Sequence, residues 1–301
     1  MRPLKIGVQL PEVEREVRWP EYRDLARLVE DAGFDSIWLG DHLLYRNPDG
    51  SARGPWEAFS MLAAIAAVTE RVELGPLVAS TAFHSPVMMA KKAVTIDEIS
   101  GGRFILGIGA GWNEIEFRGF GFPYDYRASR FEEAAGVIRR LLAGERVDHD
   151  GRFYRIEGGE IHPAGPRPGG PPVMVGSMGE RVLAATLPWV DAWNSWFAWY
   201  GNTVAGLRDL LARLDGACER AGRDPATLQR TVAVHVAAPG ARGRVYGAEE
   251  HSGAEALPGP VERIAEHLEA VAGLGVAHVQ LVIDPIDASG VEWAAGILGA
   301  F

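Results

Sequence analysis

The residues of this chain best suited to chemistry stand just after short apolar runs. In the stretch 99–114, I-S-G-G-R-F-I-L-G-I-G-A-G-W-N-E, an apolar run leads into Gly107, Gly109 and Gly111 and then into Trp112, Asn113 and Glu114. Glycine has no Cβ, so a flat ligand or a phosphate can approach such a backbone closely. The amide of Asn113 both donates and accepts hydrogen bonds. Asp41-His42 follows another apolar run, and a histidine titrates near neutrality, as general acid–base work requires. A histidine that merely holds a loop is the plain alternative, and the residues alone leave the two even. Gly176-Ser177-Met178-Gly179 precedes a helical stretch, where free N–H groups and the helix dipole suit a phosphate. An ordinary tight turn would look the same. Gln9 ends the first apolar run and Leu77-Val78-Ala79 the third. Trp196 and Trp199 lie past the sixth and are suited to wall a pocket, whereas Trp189 and Trp193 read as core packing.

Several chemistries are disfavoured. The eight histidines are scattered, with no His-x-x-x-His or His-x-His pair, and no metal site is expected. His149, His251 and His267 are expected to face solvent. The single cysteine, Cys218, leaves no disulfide framework and no cysteine zinc site. No G-x-S-x-G elbow occurs. Asp41 and Glu114 would serve as a glycosidase pair, but their spacing does not require it. A net charge of −10 argues against general nucleic-acid binding. The N-terminal residues read as a first strand rather than a signal peptide, and no apolar run is long enough for a bilayer. A soluble cytoplasmic protein is expected.

Strands and helices alternate along the 301 residues. Strands are expected at 5–10, 36–40, 72–79, 104–108, 173–176, 190–194, 231–237 and 277–283. Helices are expected at 19–32, 56–68, 86–99, 129–142, 181–186, 204–220, 261–274 and 291–298. Pro86 suits a first helical turn, and Gly33 a helix end. The strands are apolar runs rather than alternating ones, as parallel strands covered on both faces should be. Eight such units predict an α/β fold of the (β/α)8 TIM-barrel type, one domain over 1–301, with a small insertion hairpin near 145–171. A doubly wound sheet would need a glycine fingerprint after the first strand, and 11–15 has none. The stretch 238–259 is expected to be the most mobile loop. In a barrel the ligand site lies at the C-terminal strand ends, where Gln9, Asp41, His42, Trp112, Asn113, Ser177 and Trp196 would gather.

The chain resembles the luciferase-like monooxygenase superfamily, and within it the coenzyme F420-dependent oxidoreductases. The resemblance is carried by A-G-F-D-S-I-W-L-G-D-H (32–42), E-R-V-E-L-G-P-L-V (70–78), the 99–114 stretch, G-E-R-V-D-H-D-G-R-F-Y (144–154), P-V-M-V-G (172–176) and D-A-W-N (191–194). It implies a luciferase-like barrel that transfers a hydride between F420 and a small organic substrate, with positioning carrying much of the catalysis. It implies His42 as the catalytic residue. The implied cofactor-binding residues are Asp41, Leu77, Val78, Ala79, Asn113, Gly176, Ser177, Met178 and Gly179, with a cis peptide at Leu77-Val78. Gln9, Trp112 and Trp196 would line the substrate pocket. The family's sugar-phosphate dehydrogenases carry glutamates after strand one and in the strand-four turn; here Gln9 and Pro11 lead the first region, with Glu12 and Glu14 nearby in no fixed register, and Trp112 stands in the second, so sugar-phosphate oxidation is not expected. The alternatives are an FMN-dependent monooxygenase fed by a separate reductase, and a flavin-binding barrel without turnover. A homodimer paired through helices beside strands two to four is implied, which would cover the apolar stretch 56–68.

Overall fold

The computed structural model describes residues 4–47, 49–243 and 254–301. Eight strand positions form one parallel sheet that curls on itself: β1 (Lys5–Gln9), β2 (Ser36–Leu39), β3 (Glu73–Pro76, resumed at Ala79–Ser80), β4 (Leu106–Gly109), β5 (Val173–Gly176), β6 (Ala192–Ser195), β7 (Gln229–Ala237) and β8 (Val276–Asp284). The sheet runs from the first half of β3 through β2, β1, β8, β7, β6, β5 and β4 to the second half of β3. Strand β3 thus pairs with β2 through its first half and with β4 through its second, and a parallel bridge between Leu74 and Phe104 completes the ring. The expected barrel is present. The expected continuous strand 72–79 is instead broken at Leu77-Val78, whose peptide is cis as the resemblance implied.

The helices form where an apolar stripe and a cap coincide. Helix α1 (Trp19–Asp31) has Pro20 in its first turn and buries Tyr22, Leu25, Ala26 and Val29. Helix α2 (Ala58–Ala66) starts two residues later than its apolar run, because the Glu57 carboxylate accepts from the N–H groups of Phe59 and Ser60. Helix α3 (Pro86–Ser100) ends on Gly101 at φ +65°, the left-handed conformation glycine adopts freely. A short helix, α4 (Glu114–Phe120), was not expected from the sequence; it follows β4 directly. Around the rest of the ring stand α5 (Arg127–Leu142), α6 (Glu180–Thr186), α7 (Val204–Arg220), α8 (Val261–Ala272) and α9 (Ala288–Gly299).

The insertion is a two-stranded antiparallel hairpin, Val147–Asp150 with Arg155–Gly159. Glu133 of α5 anchors it by accepting from the Phe153 and Tyr154 N–H groups and from His149 Nε2 at 2.9 Å. His149 is therefore docked rather than solvated, and His267 is half-buried. His251 and the part 244–253 of the stretch 238–259 lie outside the described residues. A second hairpin, Tyr45–Arg46 with Ala52–Arg53, was not expected; it sits beyond the end of β2.

The strands are buried as expected, but not all are apolar. Inside the ring Asn194 Nδ2 donates to Thr231 Oγ1 and Gln280 Oε1, each at 2.8 Å. Below them Ser36 Oγ accepts from Trp38 Nε1 and meets His278 Nε2, both at 2.7 Å. These pairings offset the cost of burying the polar groups that make them. Among the described residues no helix is long and apolar enough to cross a membrane.

Candidate active site

The C-terminal strand ends surround a cavity of about 610 Å³. Of the expected site residues, Gln9, Asp41, His42, Leu77, Val78, Trp112, Asn113, Gly176, Ser177, Met178 and Trp196 line it. Ala79 does not: its side chain is fully buried in the core. Gly179 also falls outside the lining. It caps α6, and its N–H is taken by Ser177 Oγ at 3.0 Å. Trp199 joins Trp196 in the wall, while Trp193 is buried and Trp189 packs against the core.

The glycines also have a packing role that the sequence did not suggest. A Cβ at Gly109 or Gly176 would lie 2.9 or 2.8 Å from Val78 Cγ2, and one at Gly107 would lie 2.9 Å from Val78 Cγ1. Those three glycines make room for the Val78 side chain, which lines the cavity together with Gly109 and Gly176. At Gly111 (φ +74°) a Cβ would meet Ser80 Oγ at 2.6 Å and the Phe117 ring at 2.8 Å. Glycine there allows both the turn and the close approach of the β4–α4 loop.

His42 stands between two carboxylates. Its Nδ1 is 2.7 Å from Glu116 Oε1, and its Nε2 is 3.7 Å from Glu12 Oε1. Both glutamates are buried, and both line the cavity. Glu116 also accepts from the Leu43 N–H at 2.7 Å and from Asn113 Nδ2, which reaches Leu44 O at 3.0 Å as well. Glu12 is held by Gln9 Nε2 at 2.9 Å and Tyr45 Oη at 3.5 Å. Tyr45 and Trp112 place their rings 4.8 and 5.5 Å from the imidazole. Burial by itself would lower the His42 pKa, but Glu12, Glu116 and Asp41 outweigh it, and the imidazole titrates above its ordinary range.

Asp41 is turned to a supporting task. Its Oδ2 accepts from the Ser80 N–H at 2.9 Å and contacts His84 Nε2 at 3.0 Å. Asp41, Glu57 and His84 bring potential ligand atoms within 4.8 Å of one another. However, Lys92 Nζ lies 3.3 Å from His84 Nδ1 and 4.0 Å from Glu57 Oε1, so an ammonium already supplies the positive charge.

Sequence reasoning missed Glu12, Tyr45 and Glu116 as cavity residues. Glu12 was visible after β1 but without a register. Glu116 had no local signal, since a glutamate on a short amphipathic helix reads as a solvated charge. Two buried atoms in the lining, Gln9 Oε1 and Ser80 Oγ, have no hydrogen-bond partner within the protein. Unmet polar atoms on residues that line a cavity of this size suit a polar-edged planar ligand.

Comparison with known proteins agrees with this architecture. The F420-dependent secondary alcohol dehydrogenase solved with an F420-acetone adduct superposes with a TM-score of 0.81 at 17% identity, covering 99% of this chain and 98% of that one. The monooxygenase RslO1 of Streptomyces bottropensis gives 0.77 at 20% identity, covering 99% and 97%. At these identities the likeness concerns the fold. By sequence, the 5,10-methylenetetrahydromethanopterin reductase of Archaeoglobus fulgidus is 34% identical over 180 residues, 60% of this chain and 49% of that protein. An F420-dependent glucose-6-phosphate dehydrogenase of Kineococcus radiotolerans is 30% identical over 247 residues, 77% of this chain and 68% of that protein. The chain spans about half the length of the first curated relatives it matches. The profile of the luciferase-like monooxygenase family matches residues 5–242, and the chain belongs to that family.

Proposed function

We propose that the protein is an oxidoreductase that transfers a hydride between coenzyme F420 and a small organic substrate, with His42 handling the accompanying proton. The observation that carries the reading is a single cavity pairing an apolar floor, Leu77 and Val78, with an imidazole set between two buried carboxylates. Relatives bearing F420-dependent names support it. The residues present fit the cofactor. Leu77 and Val78 would back the flat ring, and Gln9 Oε1 and Ser80 Oγ would meet polar edges. Ser177 and Met178 would flank the phosphate-bearing tail.

F420, when bound, supplies a ring carbon that accepts or returns a hydride. The protein's part is positioning and proton transfer. For oxidation of an alcohol, the hydroxyl proton passes to His42 Nε2 as the hydride leaves the substrate carbon. Glu12 and Glu116 then stabilise the imidazolium. For reduction, His42 Nε2 returns the proton to the substrate heteroatom. Trp112, Trp196 and Trp199 line the cavity and would pack against the substrate. A second copy of the chain, paired through the helices beside β2 to β4, belongs to the same proposal, as does placement in the cytoplasm.

Titrating purified protein with F420 and, separately, with FMN tests the reading. Quenching of F420 fluorescence at micromolar concentrations or below is expected. Oxygen consumption with reduced FMN, together with no F420 binding, would replace it with a two-component monooxygenase that needs a separate reductase. Turnover indifferent to His42→Ala would remove His42 from the proton step, and binding of cofactor with no turnover would leave only a flavin-binding barrel.

A further inference from the structure

We propose that Glu116 is the positioning residue for His42: it holds the imidazole in the tautomer with hydrogen on Nδ1, leaving Nε2 to face the cavity, and Asn113 serves this carboxylate. The inference deepens the reading of His42 as the proton-handling group and rests on it.

Glu116 is completely buried at the first turn of α4, far in sequence from the loop it serves. Three donors converge on it. The Leu43 N–H occupies Oε2, while Asn113 Nδ2 and His42 Nδ1 share Oε1. An ionised carboxylate accepts only, so the hydrogen in the 2.7 Å contact belongs to the imidazole. Nε2 is then the free acceptor in the neutral ring. It has no hydrogen bond to Glu12, whose Oε1 is 3.7 Å away. A backbone donor on the residue next to His42 makes the arrangement rigid, since the loop and the ring are held by one group. Asn113, implied as a cofactor ligand, uses Nδ2 on Glu116 and on Leu44 O. Its bonds tie the β4–α4 loop to the loop after β2. The charged groups around the ring are Glu116 on Nδ1, Glu12 on the Nε2 side and Asp41 beside it, with the Tyr45 ring packed against it.

The substitution Glu116→Gln separates this role from simple packing. A glutamine has one acceptor oxygen where Glu116 uses two, so it must turn its NH2 toward either the Leu43 N–H or His42 Nδ1. In the second orientation the ring moves its hydrogen to Nε2. In both the negative charge is lost.

The test is ¹⁵N NMR of histidine-labelled full-length protein without cofactor, with the His42 signals assigned by their absence in His42→Gln. The expected wild-type spectrum, above the imidazole's titration, shows Nδ1 protonated and Nε2 bare. Glu116→Gln is expected to lower the midpoint by about one pH unit or more and to raise the share of the Nε2-protonated form. Glu116→Asp, which restores the charge, should return the midpoint toward that of wild type. A wild-type neutral ring with hydrogen on Nε2 would overturn the proposal. So would an unchanged midpoint and tautomer ratio in Glu116→Gln. Should that variant fail to fold, the wild-type tautomer alone decides. These readouts need no cofactor. Failure of F420 to bind would therefore remove the hydride-transfer reading while leaving the tautomer result intact, and the reverse holds.

Discussion

The Val78 side chain occupies the space that any side chain at Gly176 would need, with a Cβ there only 2.8 Å from Val78 Cγ2. Val78 is β-branched and stiff at χ1, and it is pressed from a second side by Gly109. The cavity floor and the ends of β4 and β5 are therefore one packed unit. Gly176→Ala is expected to destabilise the protein by about 1–3 kcal/mol, the usual cost of overpacking. Urea denaturation would show it. An unchanged midpoint would mean that Val78 shifts freely and that the floor is not rigid.

His42→Gln should retain F420 binding while turnover falls by about 100- to 10,000-fold, the usual worth of a general acid–base group. The pH profile carries a sign. In the oxidative direction His42 must be neutral to accept a proton, so the rate should climb with pH through a midpoint above about 6.5, the unperturbed histidine value. In the reductive direction it must be protonated, so the rate should fall through the same midpoint. Glu12→Gln removes one of the charges that raise the pKa and should move both limbs to lower pH. Stopped-flow rates across pH check this, and loss of F420 binding in His42→Gln would instead make His42 a binding residue.

His278 should make stability depend on acid. Burial at the lower end of the barrel pushes its pKa down to about 3. The folded state keeps the ring neutral where the unfolded chain, titrating near 6.5, has already taken a proton. Stability contributed by the neutral ring is complete above about pH 6.5 and declines as pH falls toward 3. The slope attributable to this one proton is about 1.4 kcal/mol per pH unit. Guanidinium unfolding at several pH values, compared with His278→Gln, isolates it. Equal slopes in the two proteins would contradict the assignment.

Arg167 ties the segment before β5 to α3. Its guanidinium grips both oxygens of Asp97, with Nε 3.0 Å from Oδ2, and also reaches Phe104 O. Asp97 is completely buried, whereas the Arg167 side chain is 30% exposed. Arg167→Ala would strand a buried carboxylate and should cost about 3 kcal/mol, the low end for a broken buried pair because water reaches one partner. Arg167→Lys keeps the charge but not the planar fork and should recover part of the loss. Thermal unfolding of the two variants measures it, and a neutral Arg167→Ala would show that Asp97 finds another partner.

Local sequence determined the eight apolar runs, the helices between them and the order of caps and breaks, because strand burial, helical periodicity and the conformations of glycine and proline act over a few residues. From these followed the barrel and the placing of Gln9, His42, Asn113 and Ser177 at one end of it. Only the tertiary structure decided what those residues meet. Glu116 joins His42 from 74 positions away, through the course of a loop and a short helix that no periodicity announces. Glu12 reaches the same ring because Gly40 leaves room for it: a Cβ there would stand 2.5 Å from the Glu12 carboxylate. The glycines of β4 and β5 were legible as places lacking a side chain, but what fills the space is Val78. Long-range charge pairing and side-chain interlock depend on how distant segments approach one another, and adjacent residues carry little record of that.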